Sequence, residues 1–174
     1  SPIALFVILG YSYTKLFTSL SHLVLGLGLS LAPLGAFIAF TNRFSVPPIL
    51  FSIIVLFWVG GFDILYSLQD IDFDKQLNLK SIPSLIGIKG SLIVSAVFHF
   101  ISIIFIVVVG LYFDFGLLFW IGSIIFIIIL IYQHIIVNPN DLSKINIAFA
   151  NLNGIASILF ASFCIADLFF PILL

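Results

Sequence analysis

The chain has 174 residues, of which 63% are hydrophobic and only 7% charged, with a formal net charge of −1 at pH 7 and a mean hydropathy of +1.37. That leaves too little polar surface to coat a water-soluble globule, so a soluble domain is excluded and the chain is a membrane protein. A net charge so near zero also argues against a nucleic-acid partner.

A helix needs about 20 mainly apolar residues to cross roughly 30 Å of hydrocarbon. In chain order the sequence offers a short apolar piece at residues 1–10, then predicted spans at 18–41, 46–69, 90–112, 115–137 and 145–168. The runs are continuous rather than alternating, and hydrocarbon satisfies no bare backbone groups, so helices are expected and a barrel is not. The predicted fold class is all-α: a polytopic transmembrane helix bundle with five full spans and a partial N-terminal one, forming a single membrane domain over 1–174. Ser1 is followed by too few apolar residues to cross, and the chain has no methionine. A piece of a longer protein is therefore expected, with a short interfacial helix as the alternative. The single Cys164 excludes an internal disulfide and is expected to pack as a small apolar residue.

Basic residues set the expected orientation. Lys15, then Lys75, Lys80 and Lys89, then Lys144 fall in alternate connections, and only Arg43 falls in the other set. The connections near 11–17, 70–89 and 138–144 are thus placed in the cytoplasm.

The most informative stretch is DILYSLQDIDFD, residues 63–74, which carries four of the seven acidic residues. At about 100° per helical residue, Asp63, Tyr66, Asp70 and Asp74 fall within an arc of roughly 80°, while Asp72 points to the opposite side. Carboxylates sharing a face near lipid repel one another unless a cation or a wet cavity compensates. With oxygen ligands and neither histidine nor cysteine among them, a hard divalent cation is the simplest compensation, and Mg2+ carrying a diphosphate fits best. A solvated interfacial loop would account for Asp72 and Asp74, but not for Asp63, about two turns inside the span.

DILYSLQDIDFD has the form D-x-x-Y-x-x-x-D-x-x-x-D and resembles the second aspartate-rich motif of the UbiA superfamily of intramembrane aromatic prenyltransferases. YSYTKLFTSLSHLVLG is similar to the family's connection ahead of its fifth helix, with Tyr11, Lys15, Thr18 and Gly26 in register and Leu16 in place of the usual arginine. KSIPSLIG at 80–87 resembles the segment after the second motif, and FANLNG at 149–154 is weakly similar to one in the last helix. The family's first motif, N-D-x-x-D-x-x-x-D, does not occur here. The resemblance therefore implies the C-terminal part of a nine-helix enzyme, from the end of helix four to helix nine, whose missing N-terminal helices carry that first motif.

The implied activity is transfer of a polyprenyl group from polyprenyl diphosphate to an aromatic acid such as 4-hydroxybenzoate, or a related naphthoate, in quinone biosynthesis (ubiquinone or menaquinone). The implied cofactor is Mg2+, held by Asp70 and Asp74. Asp63 would position that site or a neighbouring group, and Tyr66 would donate a hydrogen bond or wall the developing cation. Lys15 and Lys80 would meet the diphosphate, although interfacial lysines also snorkel to lipid headgroups. Tyr11 is a substrate contact or part of an interfacial aromatic belt. Asn153 is a substrate contact or a helix-packing amide. The expected location is the bacterial inner membrane, with the active-site connections on the cytoplasmic side. His22, His99 and His134 lie far apart without metal-ligand spacing and are expected as interhelical or interfacial polar groups. Two other readings stand beside the enzyme: a cation transporter or channel subunit, with Asp63 and Asp167 as its intramembrane acids, and a non-catalytic membrane module.

Overall fold

The computed structural model describes residues 2–170, apart from the side chains of residues 2–4, 8 and 12. Its helices are α1 (Pro2–Thr14), α2 (Ser21–Thr41), α3 (Val46–Ser67), α4 (Ile71–Gln76), α5 (Ile82–Tyr112), α6 (Leu117–Ile136) and α7 (Asn153–Phe169). A 3-10 turn at Leu68–Asp70 joins α3 to α4, and a π-helical turn at Ile147–Leu152 leads into α7. Among the described residues, five continuous segments are long and apolar enough to cross a membrane: Ser21–Thr41, Val46–Gln76, Ile82–Tyr112, Leu117–Ile136 and Ile147–Phe169. The all-α reading and the five crossings are borne out.

The differences lie at the ends of two spans. The span expected to stop at residue 69 stays helical to Gln76, and the one expected from residue 90 has a helical start at Ile82. Charged residues mark where hydrocarbon ends, but the backbone goes on hydrogen-bonding to itself in the polar layer. Gly87 interrupts α5 with φ 71° and ψ −179°, a conformation open essentially to glycine alone. The uninterrupted helix therefore starts after this break, close to the boundary the charges suggest.

The chain divides into two compact units, Ser1–Phe105 and Ile106–Leu174. In the first, helices meet at small residues, which let backbones approach closely where lipid supplies no hydrophobic drive between helices. A Cβ on Gly26 of α2 would stand 2.4 Å from the Leu56 carbonyl oxygen of α3, and one on Gly61 of α3 would stand 2.3 Å from the His99 ring of α5. Ser95 and Ser102 on α5 donate their hydroxyls to the carbonyls of Gly61 and Ile54 at 2.7 and 3.1 Å. Phe57 and Phe98 complete this contact edge to face, with centroids 5.4 Å apart.

In the second unit, Phe119, Phe126 and Phe160 form the packed centre, with centroids 5.9 Å apart for 119–160 and 5.2 Å for 126–160. Gly122 of α6 admits Phe163 of α7 so closely that a Cβ there would stand 2.5 Å from it. Asp167, on the last turn of α7, accepts hydrogen bonds from the backbone N–H groups of Gly116, Leu118 and Phe119 at 2.8, 3.1 and 3.3 Å. These are donors that the start of α6 cannot satisfy within its own helix, so a carboxylate from another helix caps it. In the connection before α7, hydrogen bonds from Ser143 hold the exposed Asp141 carboxyl below the usual carboxylate range.

Candidate active site

In the first unit the α1–α2 connection lies against the α4–α5 connection. The Lys80 N–H donates to the Lys15 carbonyl at 2.7 Å, and Lys80 Nζ donates to the Phe17 carbonyl at 3.3 Å. Behind Lys80, Ser81 and Ser84 form a reciprocal cap. The Ser81 N–H donates to the Ser84 hydroxyl at 2.9 Å, and the Ser84 N–H to the Ser81 hydroxyl at 3.2 Å. This is the geometry of a capping box with serine in the place of the usual glutamate. The KSIPSLIG stretch is thus a helix start followed by a glycine break, which fixes where the chain returns after α4.

Onto this frame α3 and α4 project the acids. Asp74 is 1% exposed, and Lys15 Nζ reaches its two carboxylate oxygens at 3.3 and 3.2 Å. Asp70 is half-buried and Asp72 is exposed. The division expected from helical spacing, with Asp70 and Asp74 on one side and Asp72 on the other, therefore appears as a difference in burial. The Lys15 ammonium faces the buried Asp74 carboxylate and offsets its charge.

About two turns before Asp70, Asp63 is held by a residue that sequence spacing did not single out. His22 Nδ1, on the first turn of α2, lies 2.7 Å from Asp63 Oδ2; the histidine side chain is fully buried, and Asp63 is 18% exposed. His22 was expected as an interhelical polar group, and so it is, but its partner is one of the predicted site acids. Periodicity within one helix cannot pair residues on two helices. The available signal was an intramembrane histidine seven residues after Lys15.

Tyr66 is 37% exposed, and half-buried Tyr11 offers its carbonyl to the Thr14 hydroxyl. Asn153 belongs to the second unit. There its side-chain oxygen accepts from Gln133 Nε2 at 2.8 Å and its amide donates to the Phe149 carbonyl at 2.9 Å. This amide pair joins α6 to the start of α7, the packing role that stood beside substrate contact in the sequence.

Among the described residues, no three His, Cys, Asp or Glu side chains converge as a metal-binding group. The carboxylates of Asp70 and Asp74, one helical turn apart, are hard oxygen donors. That donor set suits an ion such as Mg2+, which commonly takes one or two carboxylates and fills the rest of its shell with water and phosphate oxygens.

The model of the UbiA prenyltransferase family matches residues 1–155. The chain belongs to this family. It is similar to the 4-hydroxybenzoate octaprenyltransferase of Francisella tularensis subsp. mediasiatica (strain FSC147), with 32% identity over 125 residues, 72% of this chain and 44% of the relative. The enzyme of the same name from Pseudoalteromonas translucida (strain TAC 125) is 27% identical over 141 residues, covering 81% of this chain and 48% of its own length. The chain thus spans less than half the length of these curated relatives. Among solved structures, the apo structure of a UbiA homolog from Aeropyrum pernix K1 superposes with a TM-score of 0.82 at 29% identity, covering 96% of this chain and 62% of that one.

Proposed function

We propose that this chain is the C-terminal part of an aromatic prenyltransferase that moves a polyprenyl group from its diphosphate to a phenolic acid of the 4-hydroxybenzoate type in ubiquinone-like quinone biosynthesis. The observation that carries the reading is the arrangement of Asp70 and Asp74 on one side of the α3–α4 helix, with Lys15 of the facing connection on Asp74. It matters because it occurs in a chain of this family and on its D-x-x-Y-x-x-x-D-x-x-x-D motif.

Asp70 and Asp74 would hold Mg2+, and the ion, when bound, offsets the charge of the departing diphosphate. Lys15, 23% exposed and 3.2 Å from Asp74, is free to shift toward a phosphate oxygen as a mobile point charge. Lys80 stands beside it with its ammonium on a backbone carbonyl, a contact it can exchange at small cost. In the transfer, the allylic C–O bond to the diphosphate breaks, the ring carbon of the acceptor forms the new C–C bond, and the ring proton leaves. Tyr66 supplies a phenol or an aromatic face to the cation-like carbon. The expected setting is the bacterial inner membrane, with the 11–17 and 70–89 connections cytoplasmic.

Against the transport reading, Asp167 already has three backbone donors. A capped acid of this kind is poorly suited to lining a permeation path.

The remainder of the nine-helix enzyme, with its first aspartate-rich motif, would supply the opposite acidic side of the diphosphate site. The test is prenyl transfer from geranyl diphosphate to 4-hydroxybenzoate by the complete protein, with Mg2+ and with EDTA. Product formed with Mg2+ and abolished by EDTA is expected, together with little or no product from the isolated 174 residues. Full activity in EDTA would refute the metal assignment, and efficient transfer by the isolated chain would refute the need for a second acidic side.

A further inference from the structure

The pair His22–Asp63 lies outside the groups assigned to metal and diphosphate, and its construction is unusual. The His22 side chain is fully buried and its Nδ1 is 2.7 Å from Asp63 Oδ2. Its Nε2 is also buried and has no hydrogen-bond partner among the described residues. A carboxylate oxygen only accepts, so the proton of the pair sits on Nδ1. A proton on Nε2 would leave a buried N–H without an acceptor among the described residues. A ring enclosed on all sides does not itself meet a substrate, so its influence on one runs through Asp63. What it does is occupy one oxygen of Asp63. The acid keeps 18% of its side-chain surface accessible, so its second oxygen remains available.

We propose that His22 is a positioning residue for Asp63: its Nδ1–H fixes the carboxylate in one orientation and presents the remaining oxygen to a donor group of the aromatic acceptor, the hydroxyl of a phenolic acid. The seat of the pair is rigid. Gly60 lies beneath it, where a Cβ would meet the His22 carbonyl oxygen at 3.5 Å and the Phe98 ring at 3.1 Å. The Ser95 hydroxyl ties the neighbouring Gly61 carbonyl to α5 at 2.7 Å. With Asp70 and Asp74 committed to the diphosphate end, Asp63 is the acid left for the acceptor. In a medium of low dielectric a fixed carboxylate oxygen directs a phenol strongly. This assignment rests on the prenyl-transfer reading, but the hydrogen bond itself does not.

Two measurements separate them. In the 174-residue chain with 15N-labelled histidine, His22 is expected to show a protonated, strongly hydrogen-bonded Nδ1 and a bare Nε2, and Asp63→Asn should shift that Nδ1–H signal. A proton found on Nε2 instead would overturn the proposal whatever the protein catalyses. In the complete protein, His22→Gln keeps a donor but cannot relay a proton, and should retain kcat within about threefold. His22→Leu removes the donor and should lower kcat about 10²-fold, the scale of a misplaced reacting group, with the KM for geranyl diphosphate unchanged. A His22→Leu protein with normal kcat would show that positioning is not needed. A His22→Gln protein as inactive as an acid-site mutant would show that the imidazole itself reacts, and this variant decides the matter even if the leucine variant fails to accumulate. If the wild-type protein transferred nothing, the reading and the acceptor role would fall together, and the 15N spectrum would then report only a structural pair.

Discussion

Asp74 and Asp167 are both almost wholly buried, 1% and 3% exposed, yet they are held in opposite ways. Asp167 is satisfied by three backbone N–H groups at the start of α6, donors that cannot leave. Asp74 is satisfied by one lysine ammonium at the end of a flexible side chain, and Asp63 by one imidazole nitrogen. The first arrangement stabilises a fold, because the acid and the orphaned donors each need the other. The second leaves acids whose partners can be exchanged for a ligand, which is what a binding site requires. The same residue type, similarly buried, is thus held by fixed backbone donors in the second unit and by exchangeable side chains in the first.

Several substitutions would break or sharpen that contrast. Asp167→Ala should destabilise most, by about 3 kcal/mol, since it orphans buried N–H groups that had a charged acceptor. Thermal unfolding in detergent would show it, while transfer per folded molecule should be unaffected. Gly26→Ala should cost about 1–3 kcal/mol, because the added methyl would stand 2.4 Å from a backbone oxygen that cannot swing aside. Gly35→Ala in the same helix meets nothing within 4 Å and should leave the same melting curve in place. Gly87→Ala should cost about 2 kcal/mol through its backbone conformation alone, since there too the space for a methyl is open. Asp72→Asn, on the exposed side of α4, should change stability by less than about 0.5 kcal/mol.

Much of this was legible in the amino-acid order. The spans were visible because charges interrupt apolar runs at the length a bilayer demands. The separation of Asp72 from Asp70 and Asp74 was visible because helical spacing is local. What spacing did not reveal were the contacts between helices. His22 meets Asp63 across 41 residues and Lys15 meets Asp74 across 59. Gln133 meets Asn153 through a connection whose last turn is π-helical. Such pairs depend on how two helices are rotated against each other, and that is set by small residues such as Gly26 and Gly61, whose role appears only once the opposing atoms are known. The helical continuation through Asp70 to Gln76 was hidden for a different reason: polarity marks the membrane boundary, not the end of a helix.

The most direct test of the site is a comparison of Asp70→Asn, Asp72→Asn and Asp74→Asn in the complete protein, measuring Mg2+-dependent transfer of a geranyl group to 4-hydroxybenzoate alongside thermal stability. Loss of at least about 10²-fold in kcat for Asp70→Asn and Asp74→Asn, a scale typical of removing one electrostatic stabiliser, is expected with Asp72→Asn within about threefold of wild type. Equal losses at all three positions would contradict a directed metal site and leave only an acidic interfacial segment.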